Sequence, residues 1–490
     1  VLVSKGHLAE ALTAYRGSAA IFDRLAKAEP GDAKWSHNLG VALEKVGIVL
    51  MSQGDLAGAL AAYQARRDIV SRLTAADPNN NLWNRDLAVA ASKIADVLVA
   101  EGKLGEALAA YREALAISER LAKDEPDNSG AQHDLSVFEL YIGDVLATQG
   151  SLPEALAAYG DGLAIAKRLV KSDPDAADWR HDLTVFDERI GNVLTAQGKL
   201  DEALSSYQES LDIRTNLAKA NPNNAGWQRE LSVAYAKIGE VMIAQQKLPE
   251  ALQSFRAGLA ITQKLSETDQ GNTDWQRDLA VTDAQIGDVL IAQHQPAEAL
   301  KSYRDSWAMF DRLIKSDPNN EGWQRDYSIT YQKVGDALMG QQDLAGALQA
   351  YQAALAIQER LLQRAPENTL WQRDMSVSDQ KIGNVLVAEG NLPQGIASYR
   401  EDLAIAERLA ATEPDDPDAQ RDLAASHDKL ASALKTAGQT EEARAQLVAG
   451  REIVARLAAQ NPASPRWQGM LAELDKALAA FDTPASGATK

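Results

Sequence analysis

Six histidines, 69 acidic residues and no cysteine are what this chain offers for chemistry. Histidine can ligate a metal or move a proton, but a metal site needs ligands at short fixed spacings. His37, His133 and His181 are separated by whole multiples of one long interval, the step from Trp35 to Trp83. They share one place with Arg229, Arg277 and Arg325. That is not a ligand spacing, and His7, His294 and His427 stand alone. Without cysteine there is neither a disulfide framework nor a thiolate nucleophile. The segment Glu125-Pro126-Asp127-Asn128-Ser129-Gly130 faintly resembles a calcium loop, yet Ser136 stands where an EF-hand loop needs its closing glutamate. It reads better as a proline break followed by helix-capping polar residues. Phosphate-binding glycine loops, nucleophile elbows and Cys/His pairs are missing from the sequence. The expectation is a chain with no intrinsic catalysis, no metal and no organic cofactor.

The elements behind these residues are set by a repeat. Tryptophan stands at Trp35, Trp83, Trp179, Trp227, Trp275, Trp323, Trp371 and Trp467, and every gap is the step from Trp35 to Trp83 or a multiple of it. Ala131 and Ala419 hold the two vacant places, with matching residues around them. A register kept without an insertion means ten copies of one unit, stacked so that neighbours bury a continuous core.

Within the unit Trp227 to Asp274, Leu231, Val233, Ile238, Val241 and Met242 recur near a 3.6-residue period and predict a helix starting at the tryptophan. It stops near Gln245–Lys247, where other copies carry Gly54, Gly102, Gly150, Gly198 and Gly390. A second helix opens at Leu248-Pro249-Glu250, with proline and a carboxylate suited to a first turn. Leu252, Phe255, Leu259 and Leu265 form its apolar stripe. Pairs such as Arg168-Leu169 and then Asp173-Pro174 close it, because proline cannot continue the ladder. Two antiparallel helices of about 18–20 residues per unit, about twenty in all, follow from this pattern.

The unit resembles the tetratricopeptide repeat, whose motif places a glycine on the first helix and A-x3-aromatic on the second. Ile190-Gly191-x2-Leu194 and Ala203-x3-Tyr207 carry that likeness, and the glycine place is filled again at Gly47, Gly143, Gly239, Gly287, Gly335 and Gly383. The unit is longer than the family's usual one of about 34 residues. In that respect it is similar to the long-helix repeats of kinesin light chains and of bacterial sensor proteins, which implies a bacterial source. The resemblance implies an all-α fold, an α-solenoid of antiparallel helix pairs wound as a right-handed superhelix, working as a protein-interaction scaffold.

The resemblance also implies that first helices line a concave groove, with the residue after the motif glycine facing it. Here that place holds Asp96, Asp144, Asn192, Glu240, Asp288, Asp336 and Asn384, with Ile48, Ser432 and Ala480 toward the ends. Two readings of this row stand: a solvated face on an acidic protein, or recognition of a basic or amide-rich protein or peptide. The family's lysine clamp for carboxylate tails is not matched, since Val185, Val233, Val281, Glu188, Ala236 and Gln332 occupy its places. The repeated Trp-Gln-Arg-Asp box, as at Trp275–Asp278, reads as an inter-unit joint, with tryptophan on the preceding second helix and Arg–Asp pairing locally.

A net charge of −19 and a pI near 4.9 disfavour nucleic acid, and no apolar run approaches a membrane span of ~20 residues. The expected organisation is one solenoid over residues 1–482: a partial unit 1–34, nine units 35–466, a capping helix 467–482, then a flexible tail 483–490. The mid-unit start at Val1 reads as a fragment of a longer protein. Three roles stay open: a scaffold holding a partner in its groove, a sensor arm with an upstream effector domain, or a self-assembly element. A cytoplasmic location is expected.

Overall fold

The computed structural model describes residues 7–462 and 464–482. The start of the partial first unit and the tail from 483 lie outside the described residues. Twenty α-helices and no strand are found among the described residues. They gather into two compact arrays that divide between Gln245 and Gln246, inside the repeat that begins at Trp227.

The N-terminal array comprises α1 (Leu8–Ala28), α2 (Ala33–Ser52), α3 (Leu56–Ala76), α4 (Asn81–Ala100) and α5 (Leu104–Asp124). It continues with α6 (Ser129–Thr148), α7 (Leu152–Ser172), α8 (Ala177–Ala196), α9 (Leu200–Ala220) and α10 (Ala225–Ala244). The C-terminal array holds α11 (Leu248–Thr268), α12 (Thr273–Ala292), α13 (Pro296–Ser316), α14 (Glu321–Gly340) and α15 (Leu344–Arg364). It ends with α16 (Thr369–Ala388), α17 (Leu392–Thr412), α18 (Pro417–Thr436), α19 (Thr440–Gln460) and α20 (Pro465–Asp482). Even-numbered helices are the first, or A, helices of their repeats and odd-numbered ones the second, or B, helices. Within each array every helix packs on the one before and the one after it. Short connections make neighbours antiparallel, so each array is an α-solenoid of helix pairs.

Sequence explains where each helix begins and ends. A helices start two residues before the tryptophan, not at it, because an asparagine caps them. The side chains of Asn80, Asn224, Asn272, Asn320 and Asn368 each accept the backbone N–H of the tryptophan three residues on. That satisfies one of the orphan donors every helix start exposes. A helices end at a left-handed residue, glycine at Gly54, Gly102, Gly150, Gly198, Gly390 and Gly438 with φ of 74–81°. B helices end when a residue that has left the helical conformation bonds back to a leucine carbonyl and proline follows, as Asp317 does to Leu313 before Pro318.

The core is built from small residues and one ring. Ala59, Ala107, Ala155, Ala203, Ala299 and Ala347 have no exposed surface at all. At the glycine place a Cβ would lie 2.4 Å from Tyr63 on Gly47 and 2.4 Å from Tyr351 on Gly335. The tyrosine ring therefore packs directly on the A-helix backbone, where glycine leaves it the most room and Ala95, under Tyr111, is the exception.

Candidate functional site

Because the motif tyrosine crosses the A helix at its glycine, its hydroxyl reaches the very next residue. Tyr111 donates to Asp96 Oδ1 at 2.6 Å, and Tyr159 to Asp144 at 2.7 Å. Tyr207 donates to Asn192 at 2.7 Å. In the C-terminal array Tyr303 donates to Asp288 at 2.8 Å, Tyr351 to Asp336 at 2.7 Å and Tyr399 to Asn384 at 2.7 Å. Burial first, and the adjacent carboxylate second, hold the Tyr111, Tyr303 and Tyr351 hydroxyls far above the ordinary phenol range. For Tyr159 burial leads and its hydrogen bond to Asp144 follows. These phenols are fixed donors. The rungs they hold are half-exposed: Asp144 keeps 39% of its side-chain surface, Asp288 41% and Asp336 38%.

The acid rungs are not bare. Arg189 Nε donates to Asp144 at 2.9 Å, and Lys333 Nζ to both oxygens of Asp288 at 2.5 Å. Lys381 pairs with Asp336. Lys93 holds Asp96 at 2.7 Å, and Lys237 holds Glu240 at 3.0 Å, from within the same helix. Each of these cations stands three residues before a rung, so Arg189, Lys333 and Lys381 reach back one repeat. Sequence reasoning missed them, although Lys93, Lys237, Lys333 and Lys381 recur at the period of the repeat.

The joint box also differs from its sequence reading. Arginine pairs across repeats as well as locally: Arg421 meets Asp422 beside it, but other joints run to the next unit. Arg85 forms a forked pair with Asp134, Arg277 reaches Asp326 at 2.8 Å, and Arg325 reaches Asp374 at 2.6 Å, each in the following repeat. Adjacent helical residues point about 100° apart, so a neighbouring A helix offers the more direct partner for most of these arginines. Histidine fills the same role in the N-terminal array: His37 meets Asp86 at 3.1 Å, His133 meets Asp182 at 3.1 Å and His181 meets Glu230 at 3.0 Å. Hydrogen bonds to Asp182 and then Glu230 raise His181 to about 9, and the bond to Asp182 raises His133. Burial pushes Asp182 upward, but hydrogen bonds from His133 and His181 outweigh it and hold it low. The tryptophans pack as the sequence implies: Trp371, 8% exposed, lies with Ile357 and Leu361 of α15.

One further row of carboxyls went unread. Glu139, Asp187, Asp283 and Asp379 share an A-helix place where sister repeats carry Leu43, Ala91, Tyr235 and Tyr331. Burial first raises each to about 7. The charges of Asp161, Glu209, Asp305 and Asp402 respectively add to it. Among the described residues no group of three or more His, Asp or Glu is arranged to hold a metal ion. No described helix is long and apolar enough to cross a membrane.

With this geometry in hand, residues 87–127, 188–222 and 329–367 match the family model of the tetratricopeptide repeat. The chain carries tetratricopeptide repeats, in a long form whose unit runs from one joint tryptophan to the next. No curated protein matches it. Among solved structures it is similar to BtubC (BKLC) from P. vanneervenii, at 17% identity and a TM-score of 0.42, over 54% of this chain and 93% of that one. It is similar to the apo form of RapI at 15% identity and a TM-score of 0.44, over 66% and 99%. It is also similar to nearly identical TPR-like repeats from Podosopora anserina, at 14% identity and a TM-score of 0.36, over 49% and 98%. Repeats of this family serve in general as protein-interaction scaffolds.

Proposed function

We propose that this chain holds a partner protein or peptide along its A helices. The contact line would be Asp96, Asp144, Asn192 and Glu240 in one array and Asp288, Asp336 and Asn384 in the other. The observation that supports this reading is the rung itself: a half-exposed carboxylate or amide oxygen, fixed by a buried tyrosine hydroxyl in every one of these units but that of Glu240, where Phe255 replaces the tyrosine. A row of pre-oriented acceptors costs little ordering on binding, which favours donors presented at intervals by a polypeptide. The cations beside the rungs cancel much of their field, so the row selects by local exchange of partners more than by long-range attraction. An incoming lysine, arginine or amide N–H would compete with Lys333 or Lys381 for the same oxygens.

The test is a pull-down of the natural partner from the source cell, followed by binding to an Asp288→Asn, Asp336→Asn double variant. Each exposed pair is worth ~0.2–1 kcal/mol, so affinity should fall by roughly two- to thirty-fold and lose part of its salt dependence. An affinity unchanged by both the substitutions and salt would move recognition to another face.

A further inference from the structure

Eight repeats carry the joint tryptophan and two carry alanine, and the exchange leaves a space behind. Trp371 fills it in one buried cluster with Ile357 and Leu361 of α15, a cluster against which Tyr327 and Tyr331 of α14 also pack. Trp323 packs against the buried cluster of Ala280 on α12 and Phe310 and Leu313 on α13. Where alanine stands, the chain has not closed in. At Ala131 a cavity of about 210 Å³ opens between α4, α5 and α6, with the buried Leu121 and the exposed Leu82 among its lining residues. At Ala419 one of about 310 Å³ opens between α16, α17 and α18, floored by Val377, Ala406 and Leu409. The two are the same place six repeats apart: Arg85, Leu121 and Asp134 of the first answer to Arg373, Leu409 and Asp422 of the second. An apolar cavity of roughly 150 Å³ is enough to admit a benzene ring.

The larger cavity also holds polar groups that lack partners. Asp402 lines it at 1% exposure, where sister repeats carry only Ser210, Gly258, Ser306 or Ala354. Ser376 donates to Asp402 Oδ1, but Oδ2 accepts no hydrogen bond. Ser426 spends its hydroxyl on the Asp422 carbonyl. Arg66, the other charged residue at this place, is by contrast bridged to Glu44 at 2.8 Å and Asp86 at 3.3 Å. At the mouth Arg373 stands among three carboxylates, Asp416 at 3.6 Å, Asp422 at 3.7 Å and Glu413 at 3.8 Å, while its Nε–H makes no hydrogen bond. A buried acceptor without a donor loses its hydration with nothing in return, and a ligand N–H would recover it.

We propose that the cavities at Ala131 and Ala419 are receptor sites for a tryptophan side chain of a partner polypeptide, which supplies the indole these two repeats lack. This rests on the reading of the chain as a scaffold for polypeptides. The ring would lie where the chain's own tryptophan lies in its sister repeats. At Ala419 its N–H would meet Asp402 Oδ2, and Arg373 Nε–H at the rim would donate to a peptide carbonyl. The site at Ala131 has Ala114 in place of Asp402 and Arg85 already forked onto Asp134, so it would take the ring without the N–H preference.

The probe is N-acetyl-L-tryptophanamide, added to the full chain and followed by ligand-detected saturation-transfer NMR. A fragment of this size should bind with a Kd on the order of 0.1–1 mM. The double variant Ala131→Trp, Ala419→Trp should abolish the signal and unfold no earlier than the parent. Should it fold poorly, Ala131→Leu with Ala419→Leu narrows both cavities instead. Asp402→Ser, the residue found at Ser18, Ser210 and Ser306 in sister repeats, should weaken tryptophan binding at Ala419 about three- to tenfold and leave the 1-methyl analogue unaffected. Four results would each overturn the proposal: no transfer at several millimolar probe, transfer that survives both cavity-filling variants, binding of free indole without the amide probe, or preferential binding of N-acetyl-L-lysinamide. Failure of the rung substitutions to affect a natural partner would leave these probe measurements unchanged, so the two readings fail separately.

Discussion

The two arrays use one architecture with different ionic joints. In the N-terminal array the links between successive A helices run His37–Asp86, Arg85–Asp134, His133–Asp182 and His181–Glu230. In the C-terminal array they run Arg277–Asp326 and Arg325–Asp374, with Arg373 and Arg421 converging on Asp422. Apolar packing is alike in both, with departures at Phe255, Gly395 and Leu447 in the C-terminal array, so the joint's cation is the main ionic difference between them. Arginine keeps its charge at any pH a folded protein meets, whereas histidine titrates. One half of the molecule thus has joints that depend on pH and the other does not.

The largest effect expected is one the arrays should share. Gly191→Ala would put a Cβ 2.7 Å from the Tyr207 ring and Gly335→Ala one 2.4 Å from the Tyr351 ring. Each should cost ~1–3 kcal/mol, because the buried ring must shift within a close-packed core. Stability in stacked repeats is carried by nearest neighbours, so native-state hydrogen exchange should show lost protection only in the array that carries the substitution. Equal loss in both arrays from either variant would mean that they open as one unit.

A second measurement separates them. The His181 pKa is raised to about 9 and that of His133 is raised as well, so their stabilisation is fully present below the ordinary histidine value of ~6.5. It is lost as pH rises through about 9. Asp182 and Glu230 are held low, so their part is present above the ordinary carboxylate range and lost on acidification. The buried Asp187, Asp283 and Asp379 also lose favour as pH rises toward 7, but they occur in both arrays and do not distinguish them. Between pH 7 and 9.5 the N-terminal array should lose exchange protection relative to the C-terminal one. His181→Arg should remove that part of the difference, and an unchanged profile would show that the histidine joints contribute nothing.

How much of this was legible in the sequence depended on what the repeat could average. Ten readings of one unit fixed the helix pair, the glycine under the ring and the proline break, because each is a local conformational demand made again at the same place. Pairing was another matter. Arg277 beside Asp278 looks like a pair on paper, but its partner Asp326 is 49 residues away on the next A helix. The lysines that hold Asp288 and Asp336 were visible at the right period, yet nothing local says that they reach back across a repeat. Ala131 and Ala419 were noticed as gaps in the tryptophan series, while the volume they leave depends on neighbours not closing in.

A smaller effect again comes from an internal comparison. Ala176 caps α8 with no side-chain acceptor, where Asn80, Asn128 and Asn224 cap sister helices in the same array. The backbone is already extended there, with φ −65° and ψ 107°, so Ala176→Asn should stabilise the N-terminal array by ~1 kcal/mol. Denaturant unfolding read out by the exchange of α8 amides would show it, and no gain would mean that water already serves those donors.

The smallest effect bears on the one place where the arrays differ in backbone chemistry. Every A helix from α2 to α8 ends on a left-handed glycine, at Gly54, Gly102, Gly150 and Gly198. The C-terminal array begins with three exceptions, Gln246, His294 and Gln342, at φ of 62°, 59° and 63°, before Gly390 and Gly438 restore the rule. A side chain in that region sets Cβ against the following carbonyl at a cost of about 1–2 kcal/mol. Replacing it with glycine removes the strain, but glycine also frees the unfolded chain by roughly 0.5–1 kcal/mol, and the two terms oppose each other. The net gain from Gln342→Gly should therefore be about 0.5 kcal/mol, and His294→Gly should behave alike because neither side chain is held in a helix. The control is Gly198→Gln in the N-terminal array, which should lose about as much as Gln342→Gly gains. Unfolding midpoints of the three variants decide it: if Gly198→Gln costs nothing, the left-handed end carries no strain in this repeat, and the glycines at the sister positions are there for another reason.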